Sequence, residues 1–162
     1  MIALVTRITG SGKSAFAESL CVNLHGQCKR PMIYIATMYP FDEEAFRKIK
    51  RHRRLRKTKN FDTCECFTHL EKIDVDDKTT ALLECMSNLV ANEMYQEDGA
   101  KEKTPEAVLE GFKTLTSQLN NIVVVTNEIF SDGIEYDEET LRYQKYLGQI
   151  NTGLAKMADL VI

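Results

Sequence analysis

Short apolar runs alternate with segments of helical spacing along the whole of this chain. Residues 2–6 (IALVT) read as a strand, and the spacing beyond them predicts a helix over 13–24. A second strand is predicted at 32–37 (MIYIAT) and a helix over 42–57. Residues 61–67 alternate weakly, as a third strand would. The run 81–85 (ALLEC) reads as a buried strand leading into a helix through residue 95. A polar break covers 97–104, and Pro105 suits the first turn of a helix reaching to about 119. Residues 122–126 (IVVVT) read as a central strand, the next ten as a loop, and 138–157 as a last helix. Residues 159–162 open one more strand. Near-continuous Val/Ile/Leu strands between helices predict an α/β fold, a mostly parallel sheet with helices on both faces.

Composition narrows the class without changing that picture. The 162 residues are 43% hydrophobic and 28% charged, which suits one ordinary globular domain. The net charge of −3 gives the chain as a whole no electrostatic reason to seek nucleic acid or an anionic membrane. No run approaches the roughly 18 apolar residues of a membrane span. The N-terminus lacks the basic and long apolar regions of a signal peptide, so a cytoplasmic protein is expected. The five cysteines (Cys21, Cys28, Cys64, Cys66, Cys85) are odd in number with no CxxC pair, as free thiols in a reducing compartment are.

Chemistry enters at Gly10-Ser11-Gly12-Lys13-Ser14, between the first strand and the first helix. That setting is the one a P-loop requires. Glycines let successive N–H groups turn toward phosphate oxygens, backed by the helix N-terminus. Lys13 would reach the β- and γ-phosphates and Ser14 would ligate Mg²⁺. In the pattern GxxxxGK[ST] the leading glycine position is Arg7, followed by Ile8 and Thr9. A side chain held there at positive φ would cost roughly 1–2 kcal/mol. The metal's water shell also needs a carboxylate at the end of a neighbouring strand. Glu84 is the first candidate and Glu128 the second, each with the plainer alternative of a solvated strand-end carboxylate.

Residues 47–59 (RKIKRHRRLRKTK) are dense in positive charge, as a solvated helix face or a nucleic-acid patch would be. Helical spacing puts Ala45, Ile49, His52 and Arg56 on one side, so the apolar members should turn His52 and Arg56 toward the protein body. Cations around an imidazole favour its neutral, nucleophilic form and would also neutralise a triphosphate. Such a histidine could attack phosphorus and form a phosphoramidate; a buried structural histidine is the alternative.

Taken in order, these motifs resemble the bifunctional adenosylcobinamide kinase/adenosylcobinamide-phosphate guanylyltransferase family of cobalamin biosynthesis. The resemblance runs through LVT and SGKS in residues 4–14, Ala17-Glu18, YIAT at 34–37, and Ile49-Lys50-Arg51-His52-Arg53. It continues through Thr63-x-Glu65, LLEC at 82–85 with Asn92 downstream, VTNE at 125–128, and Gly133-Ile134. Gly148-x-x-Asn151 and Leu154-Ala155-x-x-Ala158-Asp159-x-Val161 complete it. The resemblance implies a RecA-like P-loop fold, often a homotrimer, using ATP or GTP with Mg²⁺. It implies phosphorylation of the aminopropanol hydroxyl of the corrinoid adenosylcobinamide. GTP then guanylylates a histidine, which maps onto His52, and GMP passes on to give adenosyl-GDP-cobinamide. The family's nucleotide contacts map onto Arg7, Ile8, Thr9, Gly10, Ser11, Gly12, Lys13, Ser14, Ala36, Thr37, Arg53, Arg54, Leu55, Arg56, Glu65 and Glu84. Ser14 and Glu84 fall on the metal side.

The chain departs from the family at Arg7-Ile8 for paired glycines, Arg56-Lys57 for Arg-Pro, and Phe61 for Trp. The stretch 127–136 also lacks one glycine and a proline, and the family's C-terminal strand and tail are not in this sequence. A catalytically impaired nucleotide-binding paralogue and a different P-loop small-molecule kinase stand as alternative readings.

Overall fold

The computed structural model describes residues 1–7, 12–75, 78–128 and 135–162. Its strands are β1 (Ile2–Arg7), β2 (Met32–Ala36), β3 (Phe61–Glu65), β4 (Thr80–Glu84), β5 (Asn121–Asn127) and β6 (Leu160–Val161). Its helices are α1 (Lys13–His25), α2 (Glu43–Arg56), α3 (Met86–Tyr95), α4 (Thr104–Ser117) and α5 (Glu138–Met157). The pattern of alternating strands and helices is therefore the one the apolar spacing predicts. Most boundaries move by one or two residues. Strand β2 stops one residue short of Thr37, whose carbonyl accepts from Asn92 Nδ2 at 2.8 Å rather than continuing the ladder. Two short 3₁₀ turns, Leu70–Lys72 and Lys101–Lys103, were not foreseen. Three residues carry too little periodicity to announce themselves.

All strand pairs are parallel, in the order β3-β2-β4-β5-β1-β6. Strand period two divides each central strand between two cores. On one face Leu4, Ile35, Ala81, Leu83, Ile122 and Val124 pack against α3, α4 and α5 through Leu89, Phe112 and Ile150. On the other, Ala3, Val5, Tyr34, Leu82, Val123 and Val125 pack against Ala17 and Cys21 of α1. Phe112 is completely buried. Truncating a side chain of that kind to alanine typically costs about 3–5 kcal/mol.

Helix starts are fixed locally. Asp42 caps α2, its Oδ1 accepting from Ala45 N at 2.6 Å, and Asp137 caps α5, accepting from Thr140 N at 2.8 Å. Gly153 of α5 lies so close to α4 that a Cβ there would come within 2.7 Å of Leu109. Among the described residues no helix is long and apolar enough to cross a membrane. The five thiols are unpaired; burial pushes those of Cys21 and Cys66 up to about 12.

Candidate active site

The C-terminal ends of β1, β5, β4 and β2 open on one edge of the sheet, where ligands of open α/β sheets bind. Strand β5 lies between β1 and β4. Glu84, at the end of β4, therefore stands two strand spacings from β1, roughly 10 Å. Helix α1 closes that gap by running over β5 and β4.

Its first residues are those the sequence pattern assigns to the P-loop. Gly12, the N-cap, sits at φ +75°, a left-handed conformation that glycine adopts without the Cβ clash. Among the described residues no atom lies within 4 Å of where a Cβ would be, so the left-handed φ is what calls for the glycine there. Lys13 Nζ donates to the Thr126 carbonyl at 3.2 Å and to Asn127 Oδ1. Asn127 Nδ2 donates in turn to Ser87 Oγ at 2.9 Å. Burial lowers the Lys13 ammonium below its ordinary pKa, and the charges of Cys85, Glu84 and Glu128 act in the opposite sense. Residues Ile8, Thr9, Gly10 and Ser11, and the side chain of Arg7, lie outside the described residues. So do 129–134, including Gly133 and Ile134.

Ser14 Oγ donates to Glu84 Oε1. A hydroxyl joined to a carboxylate at the end of a buried strand is a hard-oxygen donor set, and with water and phosphate oxygens it suits Mg²⁺. Glu84, the first of the two candidate carboxylates, is thus the one beside the P-loop serine. Glu128 is exposed, just beyond β5. The second Glu84 oxygen, Oε2, accepts from the Tyr34 hydroxyl at 3.1 Å.

Helix α2 covers the same edge. Its buried or half-buried positions are Ala45, Ile49, His52 and Arg56, the face read from the spacing. Between α2 and the strand ends lies a cavity of about 70 Å³, lined in part by Ala36, Thr37, His52, Arg53, Arg56 and Glu84. Arg54 and Leu55 are exposed and do not line it. Arg53 pairs with Glu65 at 2.5 Å, both half exposed, so two mapped contacts hold each other. The Thr37 hydroxyl is fully buried: it accepts from Cys85 N and donates to Cys85 O, each at 2.8 Å, beside the cis Glu84–Cys85 peptide. Thr37 is thereby a latch on the turn after β4. Lys59 pairs with the buried Glu18 of α1, fastening the end of α2.

Arg56 is 4% exposed, with its guanidinium carbon 3.2 Å from the Tyr34 ring centroid. Among the described residues its Nε and Nη1 have no hydrogen-bond partner. Unmet buried donors of this kind cost about 1–3 kcal/mol each, and a cation–π contact returns about 0.5–2 kcal/mol. An anion entering the cavity would meet both. Tyr34 was not singled out from the sequence. The available signal was a phenol in a buried strand, since a buried tyrosine hydroxyl usually finds a partner.

The chain is similar to known proteins in two ways. In architecture it resembles the ATPase domain of G40P, with a TM-score of 0.54 at 10% identity, covering 99% of this chain and 67% of that one. The likeness is one of fold, an α/β RecA-like P-loop architecture. In sequence it is 27% identical to the bifunctional adenosylcobalamin biosynthesis protein CobU of Escherichia coli strain K12, over 99% of this chain and 93% of that protein. The family model of cobinamide kinase / cobinamide phosphate guanyltransferase matches residues 3–162. With its P-loop fold and a match along nearly its whole length, the chain belongs to the cobinamide kinase / cobinamide phosphate guanyltransferase family.

Proposed function

We propose that this chain phosphorylates the hydroxyl of adenosylcobinamide with ATP or GTP, then passes GMP from GTP to the product through His52. The observation that carries the reading is that His52 lines the same cavity as Glu84, the carboxylate bonded to the P-loop serine. Lys13 and Ser14 would hold the triphosphate, and Ser14 with Glu84 would hold Mg²⁺, which when bound withdraws charge from the phosphate oxygens. A His52 ring nitrogen attacks the α-phosphorus of GTP; a P–N bond forms and the bond to the β-phosphate oxygen breaks, releasing pyrophosphate. A phosphate oxygen of the phosphorylated corrinoid then displaces His52, breaking the P–N bond. Arg53 and Arg56 flank the charge that develops. A cavity of about 70 Å³ is far smaller than a nucleotide, so only part of GTP would seat against His52 while the rest extends toward Lys13 and Ser14.

The test is incubation with GTP labelled at the α-phosphate. An acid-labile protein adduct is expected from the parent and none from His52→Ala; an intact parent that binds GTP yet takes no label would remove the guanylyl-transfer half. A second reading, a nucleotide-binding paralogue with little turnover, is favoured by Arg7 at the leading glycine position. Robust turnover of cobinamide ends it. Assembly as a homotrimer and residence in the cytoplasm belong to the leading reading, and sedimentation at defined concentration tests the first.

A further inference from the structure

The contacts of Tyr34 lead beyond the residues already assigned to the reaction. Its ring belongs to the core on the α1 face of the sheet and is 5% exposed. Phe61 meets it in a T-shaped pair, with centroids 6.4 Å apart and planes at 85°. The hydroxyl donates to Glu84 Oε2 at 3.1 Å while Ser14 occupies Oε1, so both carboxylate oxygens are held. The ring face carries the Arg56 guanidinium, itself buried, with two N–H groups unmet among the described residues. One rigid side chain therefore touches both the carboxylate of the metal side and the cation of the His52 side.

We propose that Tyr34 is a positioning residue: its hydroxyl orients Glu84 for the metal-bound phosphates, and its ring holds Arg56 extended for the anion beside His52. This rests on the reading above and deepens it, because a single side chain then sets the geometry at both ends of the bound nucleotide. The two contacts are chemically separable. Tyr34→Phe deletes the hydroxyl and keeps the ring; Tyr34→Leu deletes both.

The experiment is calorimetric titration with GTP, in EDTA and over a magnesium series, with α-labelled adduct formation measured alongside. For Tyr34→Phe the Mg²⁺ concentration giving half-maximal tight binding should rise about tenfold, the scale of losing a group that orients a metal ligand, with metal-free GTP affinity unchanged. In a Glu84→Gln background the same substitution should have almost no effect, since the carboxylate it acts through is gone. Tyr34→Leu should in addition weaken metal-free GTP binding and slow labelling of His52. Arg56→Met, which leaves Tyr34 intact, should reproduce that second loss if the leucine variant does not fold. A purely structural tyrosine would lower thermal stability and leave the magnesium midpoint where it was. The proposal is overturned if Tyr34→Phe has the parental magnesium dependence, or if its effect persists undiminished in Glu84→Gln. It is also overturned if Arg56→Met keeps parental metal-free affinity. If the variants show these binding differences while the parent takes no label on His52, guanylyl transfer is overturned and the role of Tyr34 stands.

Discussion

Ser14 and Glu84, 70 residues apart in sequence, meet where α1 crosses β5 and β4, the serine hydroxyl donating to Oε1 of the carboxylate. The pair joins the first residues of a helix to the end of a strand two places away in the sheet. Glu84→Gln keeps the shape and removes the charge. Its expected outcome is a 10–100-fold rise in the magnesium needed for nucleotide turnover, read from initial rates over a magnesium series. An unchanged midpoint would show that Glu84 merely terminates β4.

Lys13 is held against Thr126 and Asn127, in surroundings that lower its ammonium pKa by burial. Lys13→Met keeps the apolar stem and abolishes the charge. The thermal midpoint should hold within about 3 °C of the parent or rise, because a desolvated cation is removed, roughly 1 kcal/mol at most for a chain of this size. Heat of binding for Mg-GTP should vanish. Parental heats from a folded variant would contradict the assignment of the loop to phosphate.

Asp42 starts the helix that carries His52, through the 2.6 Å bond from Ala45 N. Asp42→Ala should cost about 1 kcal/mol, as loss of an N-cap does. The cost should fall on α2. Hydrogen exchange should speed up over Glu43–Arg56 while α4 and α5 stay protected. Uniform loss of protection across the chain would show that α2 unfolds only with the whole.

His69 contributes a stability term with a definite sign. Its Nδ1 faces Glu71 Oε1 at 2.8 Å and its Nε2 faces the Asp98 carbonyl at 2.7 Å, so both ring nitrogens meet acceptors. The Glu71 hydrogen bond, followed by that to Asp98, raises the histidine above its ordinary value, against partial burial and Lys72. A raised histidine stabilises the fold fully below its unfolded pKa of about 6.5, and the benefit is lost as pH climbs through the higher folded value. The stability difference between the parent and His69→Gln, from urea unfolding, should therefore be larger at about pH 5.5 than at about pH 8.5. Equal differences at the two pH values would refute the assignment.

The sequence by itself determined the alternation of strands and helices, because period-two and period-3.6 burial is written in local spacing. It also located the P-loop before α1 and the inward face of α2, both local patterns: Gly12 through Ser14 are contiguous, and Ala45 through Arg56 lie on one helix. Only the tertiary structure decided that β5 separates β1 from β4, which is what brings Glu84 rather than the exposed Glu128 to Ser14. It alone set Tyr34 between Glu84 and Arg56, and spent the Thr37 hydroxyl on the Cys85 peptide. Strand order and contacts across the sheet follow from how all the apolar faces are covered at once, and that is a property of the whole chain, which no window of neighbouring residues contains.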